Sequence, residues 1–174
     1  MSKKLFVMAL LASSAFASAV QAADGTINFT GAITDEACTV TPASVNQTVN
    51  LGSVRTGGFT AAGTAAAPTR FGVTLTSCPQ AAKTASLKFD GPTNTSNSSL
   101  LALTSGTGVA TGVGIGIYES NSTTLIPVGS ASATKNVVSG TNTTFEFVAK
   151  YVSTASTVVA GTANAVSNFT VSYN

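Results

Sequence analysis

Two thiols, Cys38 and Cys78, are the most reactive groups in this 174-residue sequence, and no histidine stands beside them. Without an imidazole, a Ser-His-Asp triad, a Cys-His nucleophile and a histidine-based metal site are all out of reach. Asp35 and Glu36 are adjacent carboxylates, but on a strand they point to opposite faces, a poor arrangement for acid-base work on one substrate. Gly112-Val113-Gly114-Ile115-Gly116 has the look of a phosphate-cradling loop. The dinucleotide fingerprint needs a strand before it and a helix opening after it, whereas Ile115, Ile117 and Tyr118 continue a strand here. Small residues that let a facing segment approach closely are the better account. These residues predict no catalytic site, no cofactor or metal site and no small-molecule substrate.

The compartment decides what the thiols do. Lys3 and Lys4 precede an apolar run from Leu5 to Val20, and Val20-Gln21-Ala22 fits the small-residue pattern ahead of a cleavage site. The run is shorter than the roughly 20 residues a membrane-spanning helix needs. Residues 1–22 are therefore expected to be a signal peptide, with the mature chain beginning at Ala23. An even pair of cysteines exported to an oxidising compartment predicts one disulfide, Cys38 to Cys78. Closing a loop of that length removes unfolded-state entropy equivalent to about 4 kcal/mol.

Removing Lys3 and Lys4 brings the 8 basic residues down to the 6 acidic ones, so the mature chain is formally neutral. With no cluster of Lys or Arg there is no footprint for nucleic acid or anionic lipid. Only 8% of residues are charged, against about 25% in an average domain, so Ser, Thr, Asn and Gly must solvate the surface.

The elements that position these residues are strands. Period-2 alternation and β-branched residues recur beyond the leader, and helical periodicity is almost absent. Strands are expected over Ile27–Thr34, Thr48–Leu51, Arg70–Cys78, Ser86–Phe89, Val113–Glu119, Thr124–Val128, Thr143–Val152 and Asn168–Tyr173. Gly57-Gly58, Asp90-Gly91-Pro92, residues 94–99 and Ser139-Gly140 supply turns between them. Short strands at this spacing with an inter-strand disulfide predict an all-β, immunoglobulin-like sandwich. Phe71, Phe89, Phe145, Phe147 and Tyr151 are its aromatic core candidates.

The two ends of the mature chain do not match one closed domain. Ile27, Phe29, Gly31 and Ile33 alternate with polar or small residues ahead of the first cysteine, giving one mainly apolar face. Leaving three large apolar side chains in water forgoes roughly 1.5–3 kcal/mol each. At the other end Phe169, Val171 and Tyr173 alternate along a strand that runs to Asn174, leaving an unpaired edge and an uncovered strip of core. An extended segment from another molecule can fill such a gap, its main chain extending the sheet and alternate side chains entering pockets. Because the two patches differ, that contact is heterologous and propagates into an open filament.

These residues resemble the major subunit of type 1-like chaperone–usher fimbriae. Gly25-Thr26-Ile27-Asn28-Phe29-Thr30-Gly31, followed by Asp35-Glu36-Ala37-Cys38-Thr39-Val40, is similar to the family's donor strand and first cysteine. Ser44 to Gly52 with Val54-Arg55-Thr56, Leu75-Thr76-Ser77-Cys78, Gly161 to Ala165 and Phe169 to Asn174 follow the family's order, including the penultimate tyrosine. The resemblance implies a sandwich lacking its last strand (residues 35–174) and completed by a neighbouring subunit's N-terminal extension (23–34). It implies a periplasmic chaperone that lends a strand and anchors the Asn174 carboxylate, and an outer-membrane usher where the next extension replaces that strand. Gly31 falls where a side chain would block a shallow pocket. The implied product is an adhesive fimbrium on the cell surface, built of identical subunits with tip and adaptor pilins. The alternative is a minor or adhesive pilin whose turns at 94–99 and 121–124 bind a host receptor.

Overall fold

A computed structural model describes residues 25–31 and 37–174 of the chain. The expected leader, Ile33 and the Asp35-Glu36 pair lie outside the described residues. Alternation in the sequence becomes alternation in burial. Strand β3 (Thr84–Asp90) buries Ala85, Leu87 and Phe89 and leaves the residues between them half-exposed, as expected for a strand with one face on a core.

The remaining strands are β1 (Thr39–Val40), β2 (Ala65–Thr76), β4 (Val113–Glu119), β5 (Leu125–Ile126), β6 (Lys135–Asn136), β7 (Thr143–Ser153) and β8 (Asn168–Tyr173). They form two sheets, ordered β1-β2-β7-β4-β5 and β6-β3-β8, with every strand pair antiparallel. Leu75, Phe145, Phe147 and Ile117 of the larger sheet share one buried cluster with Leu87 and Phe89 of the smaller. At its centre the rings of Phe89 and Phe147 meet edge to face with centroids 4.9 Å apart, and Phe71 packs 5.5 Å from Phe147. The two-layer, all-β prediction holds.

Several boundaries differ from the sequence reading. Strand β2 begins at Ala65 rather than Arg70, and it does so across an irregularity between Ala66 and Thr69. Pro68 lacks an N–H for the ladder and Ala67 takes φ 52°, so a bulge absorbs both. Residues 48–51 form no strand. Gln47 Nε2 donates to the Gly72 carbonyl at 3.1 Å and the Gly52 N–H to Asn50 Oδ1 at 2.9 Å, so side chains, not a ladder, hold this segment. The expected 124–128 strand shortens to Leu125–Ile126. Residues 25–31 likewise form no strand. A single helical turn, α1 (Pro42–Val45), was not foreseen. Buried Ser44 ties it to β2 by accepting from the Thr74 N–H at 3.0 Å.

The glycines of β4 carry packing rather than phosphate. A Cβ on Gly114 would lie 2.9 Å from the Leu101 carbonyl and 3.2 Å from Leu100 Cβ, and one on Gly116 would meet Leu100 at 3.2 Å. Leu100, fully buried, therefore closes the outer face of the larger sheet.

Candidate functional site

The cross-link is formed: Cys38 and Cys78 are bonded, bridging the chain just before β1 to the chain just after β2. Antiparallel pairing of Thr39 with Thr76 brings the two cysteines together.

Strand β8 holds the other feature. It pairs with β3 from Ala85↔Tyr173 to Asp90↔Asn168, and among the described residues its opposite edge has no partner. Its outward residues Asn168, Thr170, Ser172 and Asn174 are exposed. Phe169, Val171 and Tyr173 pack on the core yet stay half-exposed, as do Val40, Val49, Leu51 and Ala165. A strip of the core thus remains open to solvent along this edge, where a closed sandwich would cover it.

Both ends of the strip are defined. At one end the Tyr173 hydroxyl donates to the Cys38 carbonyl at 3.4 Å. The Asn174 carbonyl oxygen accepts from the Lys83 and Thr84 N–H groups at 3.1 and 2.9 Å, which locks the register of β8 to the last residue. Burial pushes the Tyr173 phenol above its ordinary pKa, and does the same to Tyr151. At the other end, just before β8, lies a cavity of 310 Å³ lined by Gly52 to Val54, Thr56, Tyr151 and residues 158–164. Gly161 is required there: a Cβ would fall 2.4 Å from the Ala110 nitrogen. The sequence reading missed this cavity, because most of its walls come from two loop segments more than 100 residues apart, closed by Val113 of β4 and Tyr151 of β7.

The other expected positions are dispersed. Ile27 is 78% and Phe29 92% exposed, and nothing lies within 4 Å of where a Gly31 Cβ would be. Phe169, Val171 and Tyr173 fall on one face of β8, and Asn174 follows directly after it. In the polar turns at 94–99 and 121–124, the Asn94 and Asn121 side chains bind their own backbone. Asn94 Oδ1 accepts from the Ser96 and Asn97 N–H groups, and Asn121 Oδ1 from those of Thr123 and Thr124.

Known proteins share this arrangement. The family described as "Fimbrial protein" matches residues 27–174. A protein named "Fimbrial subunit type 1" from Salmonella typhimurium is 39% identical over 173 residues, covering 97% of this chain and 93% of the relative. The crystal structure of a Burkholderia pseudomallei antigen and type I fimbria protein is 35% identical, with a TM-score of 0.61 over 86% of this chain and 97% of that one. The P pilus rod subunit PapA, at 21% identity, shares the fold with a TM-score of 0.65 over 79% of this chain and 99% of its own. An all-β sandwich open along its last strand, matched by the family over residues 27–174, makes the chain a member of the fimbrial protein family, a type 1-like structural subunit of a surface fimbrium.

Proposed function

We propose that the mature chain polymerises by donor-strand exchange, residues 23–34 of one subunit filling the open edge of β8 in the next. The observation that carries this is the pairing of two unmet needs. Phe169, Val171 and Tyr173 are half-covered beside an unpartnered strand edge, and Ile27 and Phe29 carry large apolar side chains in water. Covering side chains of this size is worth roughly 1.5–3 kcal/mol each, and a new ladder satisfies the free edge of β8.

The geometry favours a donor antiparallel to β8. In that direction Ile27 lies by Tyr173, Phe29 by Val171 and Gly31 by Phe169, while Ile33 reaches the 310 Å³ cavity ahead of the strand. The residue without a side chain then faces the Phe169 ring.

Until a neighbour arrives the strip needs temporary cover. The family resemblance supplies a periplasmic chaperone that lends a strand, and an outer-membrane usher where exchange takes place. The subunit's work is structural rather than catalytic, and its partners are identical subunits together with tip and adaptor pilins.

Deleting Ala23–Thr34 should abolish filaments on expressing cells, scored by electron microscopy, while the truncated subunit still co-purifies with its chaperone. Normal filaments from the truncated subunit would refute the donor role.

A further inference from the structure

The formal neutrality of the mature chain conceals two opposite halves. Residues 23–36 hold Asp24, Asp35 and Glu36 and no basic residue, whereas residues 37–174 hold six basic residues against three acidic ones. Side-chain charge is therefore −3 on the extension and +3 on the domain. The new amino terminus at Ala23 and the Asn174 carboxylate trim each by one without changing either sign.

Four of the six domain cations are already committed. Lys88 lies 3.0 Å from Asp90, and Arg70 donates to the Ser120 carbonyl at 3.3 Å. Lys135 and Lys150 donate to the Thr144 and Ser122 carbonyls. Among the described residues, Arg55 and Lys83 alone of the six have neither an ion pair nor a side-chain hydrogen bond, and both are exposed. They flank the open strip. Lys83 stands where its N–H meets the Asn174 oxygen at the end of β8, and Arg55 lies between the cavity-lining residues Val54 and Thr56.

From this we infer that the two free cations form an electrostatic guide for the acidic extension of a second copy of this chain. The inference rests on the donor-strand reading and its antiparallel direction. With Ile27 by Tyr173 and Ile33 at the cavity, Asp24 arrives at the Lys83 end and Asp35-Glu36 at the Arg55 end. Apolar side chains such as Ile27 and Phe29 act only at contact, whereas opposite charge acts over about a Debye length and raises the rate of productive encounter. Exposed pairs of this kind add little to the final affinity, so the guide controls speed and direction more than filament strength.

The test follows assembly of the purified mature chain by light scattering, with electron microscopy of the product. Raising NaCl from about 20 mM to about 500 mM should slow assembly several-fold, because exposed charges are screened at high salt. Arg55→Glu and Lys83→Glu should each slow assembly at low salt and converge with the parent at high salt. Arg70→Gln, on a committed cation away from the strip, should change the rate less. Joining Asp35→Lys and Glu36→Lys to Arg55→Glu should restore the low-salt rate, which a folding defect would not. Filaments that form at the same rate at every salt concentration and in every variant would overturn the guide and leave donor-strand exchange standing. Failure of the parent chain to form filaments in any salt would instead overturn the donor-strand reading itself.

Discussion

The Tyr173 hydroxyl donates to the Cys38 carbonyl at 3.4 Å, fastening the last strand of the smaller sheet to a residue of the cross-link. Two distant parts of the sequence, 135 residues apart, thereby set one end of the open strip.

Tyr173→Phe removes that bond and should lower stability by about 0.5–1.5 kcal/mol at neutral pH, read from urea unfolding. It should also change the alkaline limb. Burial raises the folded phenol's pKa above the unfolded value of about 10, so the neutral phenol's contribution is complete below that value. The contribution is lost as pH rises through the folded pKa. The parent's stability should thus fall above about pH 10, and Tyr173→Phe should flatten the slope, leaving the parts due to Tyr118 and Tyr151.

Cys38→Ala combined with Cys78→Ala should cost about 2–5 kcal/mol, measured as a lower unfolding midpoint. Reductant should lower the parent's midpoint similarly and leave the double variant unchanged.

Gly114→Val tests the closure of the outer face. Its Cβ would sit 2.9 Å from the Leu101 carbonyl, so a loss of about 1–3 kcal/mol is expected. Gly57→Ala, with nothing within 4 Å of the added carbon, should stay within about 0.5 kcal/mol of the parent.

Gly31→Leu should stop or strongly slow filament growth without altering the thermal midpoint of the unassembled domain, since nothing lies within 4 Å of a Cβ at that position. Equal growth rates for parent and variant would show the glycine to be incidental.

Phe147→Ala should cost about 3–5 kcal/mol, because the ring is buried between those of Phe71 and Phe89. Circular dichroism melts of the two proteins give the comparison.

Strands with one face on the core were legible because burial imposes period two. Val113–Glu119 and Asn168–Tyr173 appear with the boundaries the sequence implied, and Thr143–Val152 gains only Ser153. Thr48–Leu51 shows the limit of that signal. Val49 and Leu51 alternate and pack on the core, yet among the described residues the segment joins no ladder, and periodicity carries no information about partners. The two-residue strands Thr39–Val40 and Lys135–Asn136 are too short to show a period at all. Phe169, Val171 and Tyr173 could be read as one face from the sequence. The cavity at one end of that face and the lone positions of Arg55 and Lys83 could not, since both depend on which loops fold together.

The Cys38–Cys78 bond also determines where tension travels. A pull on the chain ahead of Cys38 crosses the sulfur bridge to Cys78, and only six residues further on it reaches β3, which is laddered to β8. Residues 39–77, which include β1 and β2, lie on a branch in parallel with that route, so the segment carrying Val49, Leu51 and the Gly52–Thr56 wall is spared the load. If subunits join by the proposed donor-strand exchange, a shaft hauled by shear flow would stretch through covalent sulfur and a six-residue ladder while the proposed seat for its neighbour keeps its shape.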